Sequence, residues 1–547
     1  MQRNKIERLK SACSPYDFKE KIGVLDLKKL DESDRFYLKN YGIYNTKLRP
    51  ENFMLRIRLA GGRITLQKLQ KMYAVSLAYG LEILLTARAQ VELHGLCAEN
   101  VLTVWQELQE AGMMTYQTLT DNFRNIVTDP YDGYAVENHI EVFPLIEKME
   151  ALFLNNPEWM GMLPRKFNTA ISGTAAQFTH FYGNDLYFAL AEKEGEYGFN
   201  IYLGGKNSET AKSGDLFVRP EEVPDMFEAV ARAYRDFGLR GSRAKTRLYH
   251  LIAETGMENF VQKITDYYPH RVERSGDVCL RKTAFSTYEK LNNGRFGYCL
   301  QTAFGKVDLS LLKKLIAFAE QEMLEVRLGI DQNIYLLGLK ERGVPFAPVK
   351  GSSHVTACAG SSYCALSLWD IKQETAYLPL EKIEQHQIQV GFSGCLKGCG
   401  RHHHCDIGLV GLRTNLFGQT QKAARVFLGG QYSTGESVAR LIFPSVPLPH
   451  LATLLEKIIH TYEESGEQDF ERFTALYLNP HSTFFVMLWF LAQLYLNKPP
   501  KLEQQSEAKL YQKLLACEDF PVYEDDENYL QSIKTMMHAL WDDVSDS

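Results

Sequence analysis

The stretch Gly61–Leu96, GGRITLQKLQKMYAVSLAYGLEILLTARAQVELHGL, has a counterpart in Phe304–Leu339, FGKVDLSLLKKLIAFAEQEMLEVRLGIDQNIYLLGL, at a constant offset of 243 residues. Gly62 falls on Gly305 and Gly95 on Gly338, while Ile64, Leu66, Leu69 and Leu93 fall on Val307, Leu309, Leu312 and Leu336. Each copy reads as a short strand, a glycine turn, a helix capped by Thr65 or Asp308, and a further strand. In the first copy Leu66, Leu69, Tyr73 and Leu77 recur at helical spacing. Leu85–Leu93 then alternates as one strand, with Thr86, Arg88, Gln90, Glu92 and His94 sharing a face. So long a repeat marks a duplicated half, not a solenoid. A weaker echo links Ile171–Lys206 (ISG…FNIYLGGK) to Phe392–Gln431 (FSG…RVFLGGQ). The expected fold is α+β, with two pseudo-equivalent halves, each a small α/β half-domain followed by a larger α/β lobe. The expected boundaries are an arm at 1–49, a half-domain at 50–118 and a lobe at 119–289. A second half-domain at 290–347, a second lobe at 348–475 and an extension at 476–547 complete the division.

The 547-residue chain as a whole is ordinary for a globular protein: 45% hydrophobic, 23% charged, net charge −6. That charge gives no case for nucleic acid. The opening MQRNKIERLK has no apolar core of a secretory signal. The longest apolar run, Phe484–Leu496, is too short for a membrane span and reads as a buried helix. A cytoplasmic location is therefore expected, where thiols stay reduced and clustered cysteines serve metals or catalysis before disulfides.

The copies differ in chemistry. In Phe53–Leu59, FMLRIRL, alternation sets Arg56 and Arg58 opposite Leu55, Ile57 and Leu59. At the offset positions of Arg56, Arg58 and Arg88 stand Cys299, Gln301 and Asp331. Conversely, four of the ten cysteines, Cys358, Cys364, Cys395 and Cys399, crowd into 42 residues of the second half. A polar strand face is ordinarily just solvated, but arginines in one half and thiols in the other are explained together by one composite site.

The thiol spacings are C-x5-C in HVTACAGSSYCAL and C-x3-C in GFSGCLKGCGRHHHCDIGLVG. Thiolates select soft metals. Structural zinc favours tighter pairs, whereas four spread thiolates suit a cubane cluster; zinc and unrelated buried thiols are the alternatives. Gly394, Gly398 and Gly400 would let backbone approach a bulky group. The run His402–Cys405 reads as the partly exposed start of the DIGLVG strand, since alternation sends neighbouring histidines to opposite faces.

C-x5-C followed by GC-x3-CGR and IGLVG resembles the signature of the siroheme-containing nitrite and sulfite reductases, and the resemblance runs from about residue 50 to about 475. It implies the duplicated fold of that family, with ferredoxin-like half-domains, and a [4Fe–4S] cluster on Cys358, Cys364, Cys395 and Cys399, the last also bridging to siroheme iron. It further implies active-site roles for Arg56 in MLRIRLAGG, Arg124 in DNFRNIVTDP and Lys166 in LPRKFN. Arg88 would contact siroheme, with Gln90 and His94 on the same strand face and Arg165 near the macrocycle. Siroheme carboxylates and an oxyanion substrate both need fixed cations, which arginine supplies without losing its proton. Asn168 stands where sulfite reductases usually carry lysine and nitrite reductases asparagine. The implied reaction is therefore six-electron reduction of nitrite to ammonia, with sulfite to sulfide as the alternative and a zinc-stabilised, duplicated binding protein as the non-enzymatic one. No G-x-G-x-x-G or P-loop occurs, so electrons come from a separate protein, ferredoxin by resemblance. The chain departs from the pattern at Glu92, where glutamine is common, and at Leu396-Lys397, where Pro-Asn is usual. RNIVTDP contains no cysteine, so the Tyr–Cys crosslink of some relatives is not expected there.

Overall fold

The computed structural model describes residues 3–347, 351–416, 419–431, 435, 437–496, 500–516 and 537. They divide into two compact units, 1–353 with 433–435, and 354–432 with 436–547.

The first unit begins with helix α1, Lys5–Ala12, capped by the Asn4 side chain. Strands β1 (Ile43–Thr46), β2 (Arg49–Ile57) and β3 (Arg63–Ile64) lead to α2 (Leu66–Tyr79), then β4 (Glu82–Leu85) and β5 (Val91–Leu96). Thr65 caps α2, its side chain accepting from Lys68 N. After α3 (Phe143–Phe153) come β6 (Thr169–Ser172), β7 (Leu186–Lys193), β8 (Glu196–Leu203), β9 (Lys212–Val218) and α4 (Val223–Phe237). The second copy follows as β10 (Tyr288–Lys290), β11 (Phe296–Leu300), β12 (Lys306–Val307), α5 (Leu309–Gln321), β13 (Glu325–Leu328) and β14 (Ile334–Leu339). The 243-residue offset carries β3, β4 and β5 onto β12, β13 and β14 residue for residue, and Asp308 caps α5 as Thr65 caps α2.

The two copies do not fold as separate sheets. One sheet runs β1-β2-β5-β4-β12 and the other β10-β11-β14-β13-β3, so each copy lends its short strand to the other's sheet. Val307 lies opposite Ile83, and Val326 opposite Ile64. The glycine before each exchanged strand makes the crossing possible. Gly62 has φ +79, and a Cβ there would lie 2.2 Å from Leu328 O; Gly305 has φ +84, and its Cβ would lie 3.0 Å from Leu85 O. Gly62→Ala therefore combines left-handed strain with a collision against backbone that cannot yield. We expect a loss of about 2–4 kcal/mol, read by urea unfolding. Gly80→Ala is the control: φ is +64 but nothing lies within 4 Å, so only the strain, about 1 kcal/mol, is expected.

Two expectations about this repeat fail. Leu85–Leu93 is not one strand: β4 stops at Leu85, and a turn through Ala89, at φ +50, reverses the chain into β5. Thr86 makes that turn, its hydroxyl accepting from the backbone N–H groups of Arg88 and Gln90. On α2 the buried stripe is Leu69, Met72, Val75 and Ser76, while Leu77 is exposed. Leu66 and Tyr73 are half-buried against the core with Leu69, as that spacing implies, and Leu77 alone falls outside, with the small Ser76 turned inward in its place.

In the lobe of the first unit, β6 pairs parallel to β7, Thr169 opposite Leu186, and β7, β8 and β9 continue antiparallel. The second unit has β15 (Val355–Ala357), β16 (Val390–Ser393), β17 (Ile407–Leu416), β18 (Gln419–Leu428) and β19 (Arg440–Pro447) in sequential order in one sheet, with α6 (Leu448–Ser465) following. Val390 pairs with Ile407 seventeen positions on, the spacing of Thr169 and Leu186. The weak echo in the sequence is thus a repeated sheet. Phe484–Leu496 forms the expected helix, α7 (Thr483–Tyr495), capped by Ser482 and burying Phe485, Val486, Leu488, Trp489 and Phe490. Among the described residues, no helix is long and apolar enough to cross a membrane.

Candidate functional site: a thiol-bearing sheet edge and a buried arginine cluster

In the second unit, β15 and β16 run parallel with Ala357 opposite Phe392. The next residues of both strands leave at the same end of the sheet, which brings Cys358 beside Gly394-Cys395. Cys358 N donates to Phe392 O at 2.9 Å, and Gly394 N donates to Cys358 Sγ at 3.1 Å. Cys364 ends a turn, its N–H donating to Gly360 O at 2.8 Å. That loop is tied to the Cys395 loop, since Leu368 N donates to Gly394 O at 3.4 Å. Cys399 follows Gly398, whose φ of +71 and N–H to Cys395 O curl the loop back. Burial pushes the Cys358 thiol up to about 12, and a negative charge on Cys399 adds to it. A thiol held this way becomes a thiolate when a cation compensates it.

The neighbouring glycines serve close packing of the chain on itself. A Cβ at Gly394 would sit 1.9 Å from Ser367 Oγ, and one at Gly400 2.2 Å from Phe392 O. The three histidines are a correction. They form a turn before β17, not a partly exposed strand start, and His402 and His404 are buried. His402 Nδ1 lies 3.0 Å from Ser393 Oγ, and burial first, then His403 and His404, push its imidazole down to about 3, so it is neutral. The turn sits directly on Gly408, where a Cβ would be 1.9 Å from His402 O. Among the described residues, no three His, Cys, Asp or Glu side chains converge as a single ion requires. The thiols of Cys358, Cys364, Cys395 and Cys399 lie on the two loops that leave β15 and β16 at one end, and four thiolates are a donor set that an iron–sulfur cluster takes.

In the first unit the basic residues come from three places. Arg56 lies on β2 directly across from Glu92 on β5. Arg88 lies in the turn between β4 and β5, with its guanidinium donating to Asn184 Oδ1 and to the carbonyls of Asn125 and Thr169. Arg124 sits on an extended segment running parallel to the Lys166–Asn168 segment: Arg124 N donates to Phe167 O at 2.7 Å, and Phe167 N to Asn122 O at 3.0 Å. This ladder puts Arg124 beside Lys166 and Asn168. Burial, then the charges of Arg56, Arg165 and Arg88, push the Arg124 guanidinium well below its ordinary value. Arg124 thus feels the charge of three other arginines. Arg58 does not join them; it is buried against Glu150 and the carbonyls of Gln117 and Phe123, a structural role.

Residues not singled out from the sequence hold this cluster. Asp121, fully buried, takes Arg243 through both oxygens at 2.5 and 2.7 Å, Lys10 of α1 at 3.0 Å and Arg165 at 3.4 Å. Burial alone would raise its pKa, but Lys10 and Arg243 outweigh that and hold it at about 2. Asp185 accepts from Asn168 N at 2.8 Å and binds Arg247 through both oxygens. Asp121 opens the motif DNFRNIVTDP, so its signal lay three residues before Arg124.

The buried atoms left without partners test the fit to a large anionic group. Among the described residues, Arg56 Nε, Gln90 Nε2 and Arg124 Nη1 are donors with no acceptor. Three buried orphan donors beside a cationic cluster are costly unless an anion satisfies them. A macrocycle rich in carboxylates, with an oxyanion substrate, is such a group.

A duplicated α+β chain carrying a four-thiol edge and an acceptor-starved arginine cluster belongs to the class of cluster-containing oxidoreductases. Residues 119–272 and 354–474 match the family model "Nitrite and sulphite reductase 4Fe-4S domain", and residues 47–111 match "Nitrite/Sulfite reductase ferredoxin-like half domain". The chain belongs to this nitrite and sulfite reductase family, and its cofactors are siroheme and a [4Fe–4S] cluster. It is similar to the ferredoxin–nitrite reductase of Synechococcus elongatus, 27% identical over 83% of this chain and 96% of that one. It is likewise similar to a sulfite reductase [ferredoxin] of Mycolicibacterium paratuberculosis, 26% identical over 86% and 94%. The solved structure of the Mycobacterium tuberculosis NirA protein superposes with a TM-score of 0.79 over 88% of this chain and 97% of that one, at 22% identity.

Proposed function

We propose that the chain reduces nitrite to ammonia by six electrons taken from ferredoxin, with Arg56, Arg124, Lys166 and Asn168 at the substrate. The observation that carries the reading is the buried Arg124 beside a neutral Asn168, 5% exposed, whose Oδ1 has no donor. Cys358, Cys364, Cys395 and Cys399 would hold the cluster, and Arg88, Arg165, Gln90 and His94 would meet siroheme. When bound, these cofactors supply the substrate-binding iron and the path for electrons. The chain's own residues supply fixed charge and protons. Arg56 and Arg124 hold the oxyanion oxygens and stabilise charge that grows as they leave. Lys166, half-buried on the segment paired with Arg124, delivers protons to the departing oxygens. Asn168 orients without adding charge, which favours a monoanion such as nitrite over sulfite. Two relatives support ferredoxin as donor, since both carry it in their names.

The test is anaerobic turnover with reduced ferredoxin and with a reduced viologen, comparing kcat/KM for nitrite and sulfite. Nitrite is expected to be preferred, and Asn168→Lys to move the ratio toward sulfite by about ten-fold, the worth of one favourable charge in a part-buried site. Preference for sulfite in the unaltered protein would overturn the substrate assignment.

A further inference from the structure

Asp121 and Asp185 hold Arg243 and Arg247 in place beside the segments of Arg124 and Asn168. Glu92 differs, because the cation it pairs with is Arg56, itself proposed to meet the substrate. It is a buried carboxylate on the strand face that carries Arg56, with its charge split between two neighbours. Oε1 pairs with Arg56 Nη2, and Oε2 lies 3.0 Å from His94 Nε2. The geometry is set by the sheet: Arg56 and Glu92 are cross-strand partners, Met54 faces His94, and His94 lies two residues on from Glu92, on the same face. Burial by itself would raise the Glu92 pKa, but Arg56 and His94 outweigh it and hold it at about 2. The negative charge is therefore present throughout the working pH range.

We infer that Glu92 is a specificity-determining residue: it cancels the charge of Arg56, and so leaves the oxyanion site short by one positive charge. This rests on the proposed reading of Arg56 and Arg124 as the oxyanion site. Arg56 contributes shape and its unpartnered Nε–H, while its charge is spent on Glu92. Among the described residues, the carboxylate that acts on Arg124 is Asp121, whose own bonds go to Arg243, Lys10 and Arg165, and the Arg124 guanidinium Nη2 donates to the Thr120 carbonyl at 3.0 Å. A site built this way discriminates by anion charge. A monoanion is satisfied by Arg124 and Lys166, and a dianion meets the Glu92 carboxylate with too little compensation. Glu92 and Asn168 act in the same direction from separate elements, β5 and the segment before β6. His94 belongs to the same ledger, since its contact with Glu92 fixes the second oxygen and keeps the carboxylate from rotating toward the substrate.

The experiment uses the full-length holoprotein with Glu92→Gln, Glu92→Ser and Glu92→Asp. Equilibrium affinities for nitrite and sulfite are measured by optical titration of the oxidised, non-turning-over protein, alongside kcat/KM. Both neutral variants are expected to raise the sulfite-to-nitrite affinity ratio by about ten-fold or more, and the aspartate to keep it near the unaltered value. Serine covers the case in which glutamine prevents cofactor loading. An unchanged ratio in a neutral variant that binds both anions overturns the inference, as does an aspartate variant that behaves like the neutral ones, which would mark a purely steric role. Failure of the proposed function looks different: the unaltered holoprotein would prefer sulfite in turnover, or turn over neither anion, while the change in affinity ratio on neutralising Glu92 would still report on Glu92.

Discussion

Cys358→Ser is expected to leave a folded chain without iron or acid-labile sulfide and to lower nitrite or sulfite reduction by more than about 100-fold, beyond the range typical of residues that only support a metal ligand. The reason lies at the edge of β15. Cys358 is buried, accepts from Gly394 N, and stands where the parallel pair β15–β16 delivers Cys395 as well. Serine keeps the hydrogen bond in outline but offers a hard oxygen where iron wants sulfur. Cys405 gives an internal control. It is another buried thiol in the same unit, pushed up to about 12 by burial, and it precedes β17 outside the four-cysteine set. Cys405→Ala is expected to retain iron, sulfide and colour, at a stability cost of about 1–2 kcal/mol. Iron analysis and the visible spectrum separate the two variants. Iron retained in Cys358→Ser would remove that residue from the ligand set.

The second large effect is on stability. Asp121→Asn replaces one buried carboxylate that compensates Lys10, Arg165 and Arg243 together. The amide leaves three cations under-compensated, two of them at most part-exposed, and Lys10 itself is buried. Breaking such a group by removing the partner costs about 3–5 kcal/mol. The pH dependence has a definite sign. The Asp121 pKa falls from its ordinary 3.8 to about 2 on folding, so its contribution is complete above pH 4 and fades as pH falls from 4 toward 2. The unaltered protein should lose stability across that window more steeply than the asparagine variant. Equilibrium urea unfolding at pH 7 and at pH 3 measures both terms. Equal stability of the two proteins at pH 7 would show that solvent, not Asp121, carries the cations.

The duplication was legible in the sequence because glycines and strand-forming residues recur at one offset, and the structure honours that offset strand by strand. The exchange of β3 and β12 was not legible. Periodicity says which face of a strand is buried, and it is silent about whose edge the strand joins. The turn at Thr86–Gln90 was hidden because TARAQ contains no glycine, proline, asparagine or aspartate. Its counterpart, LGIDQN, carries Gly329, Asp331 and Asn333, so the second copy held the signal that the first lacks. Of the proposed site, the cysteines and Arg56, Arg124 and Lys166 were readable from motifs. Their counter-charges were not, because Asp121–Arg243 and Asp185–Arg247 join residues far apart in sequence. Glu92 was readable as an anomaly, but its partner follows from strand register, which alternation alone leaves open.

The exchanged strands also constrain how the chain is made. The sheet of β1, β2, β5 and β4 is synthesised early, yet its last strand is Lys306–Val307. At translation rates of about 5–20 residues per second, β4 waits on the order of 10–45 s for its neighbour. Throughout that interval the nascent chain displays an unpaired edge, the kind of surface that recruits the wrong strand. A ribosome stalled before codon 306, or a gene cut between the two copies, would yield a first half that cannot close its own sheet. The two copies are therefore inseparable as products of expression, however alike they are as sequences.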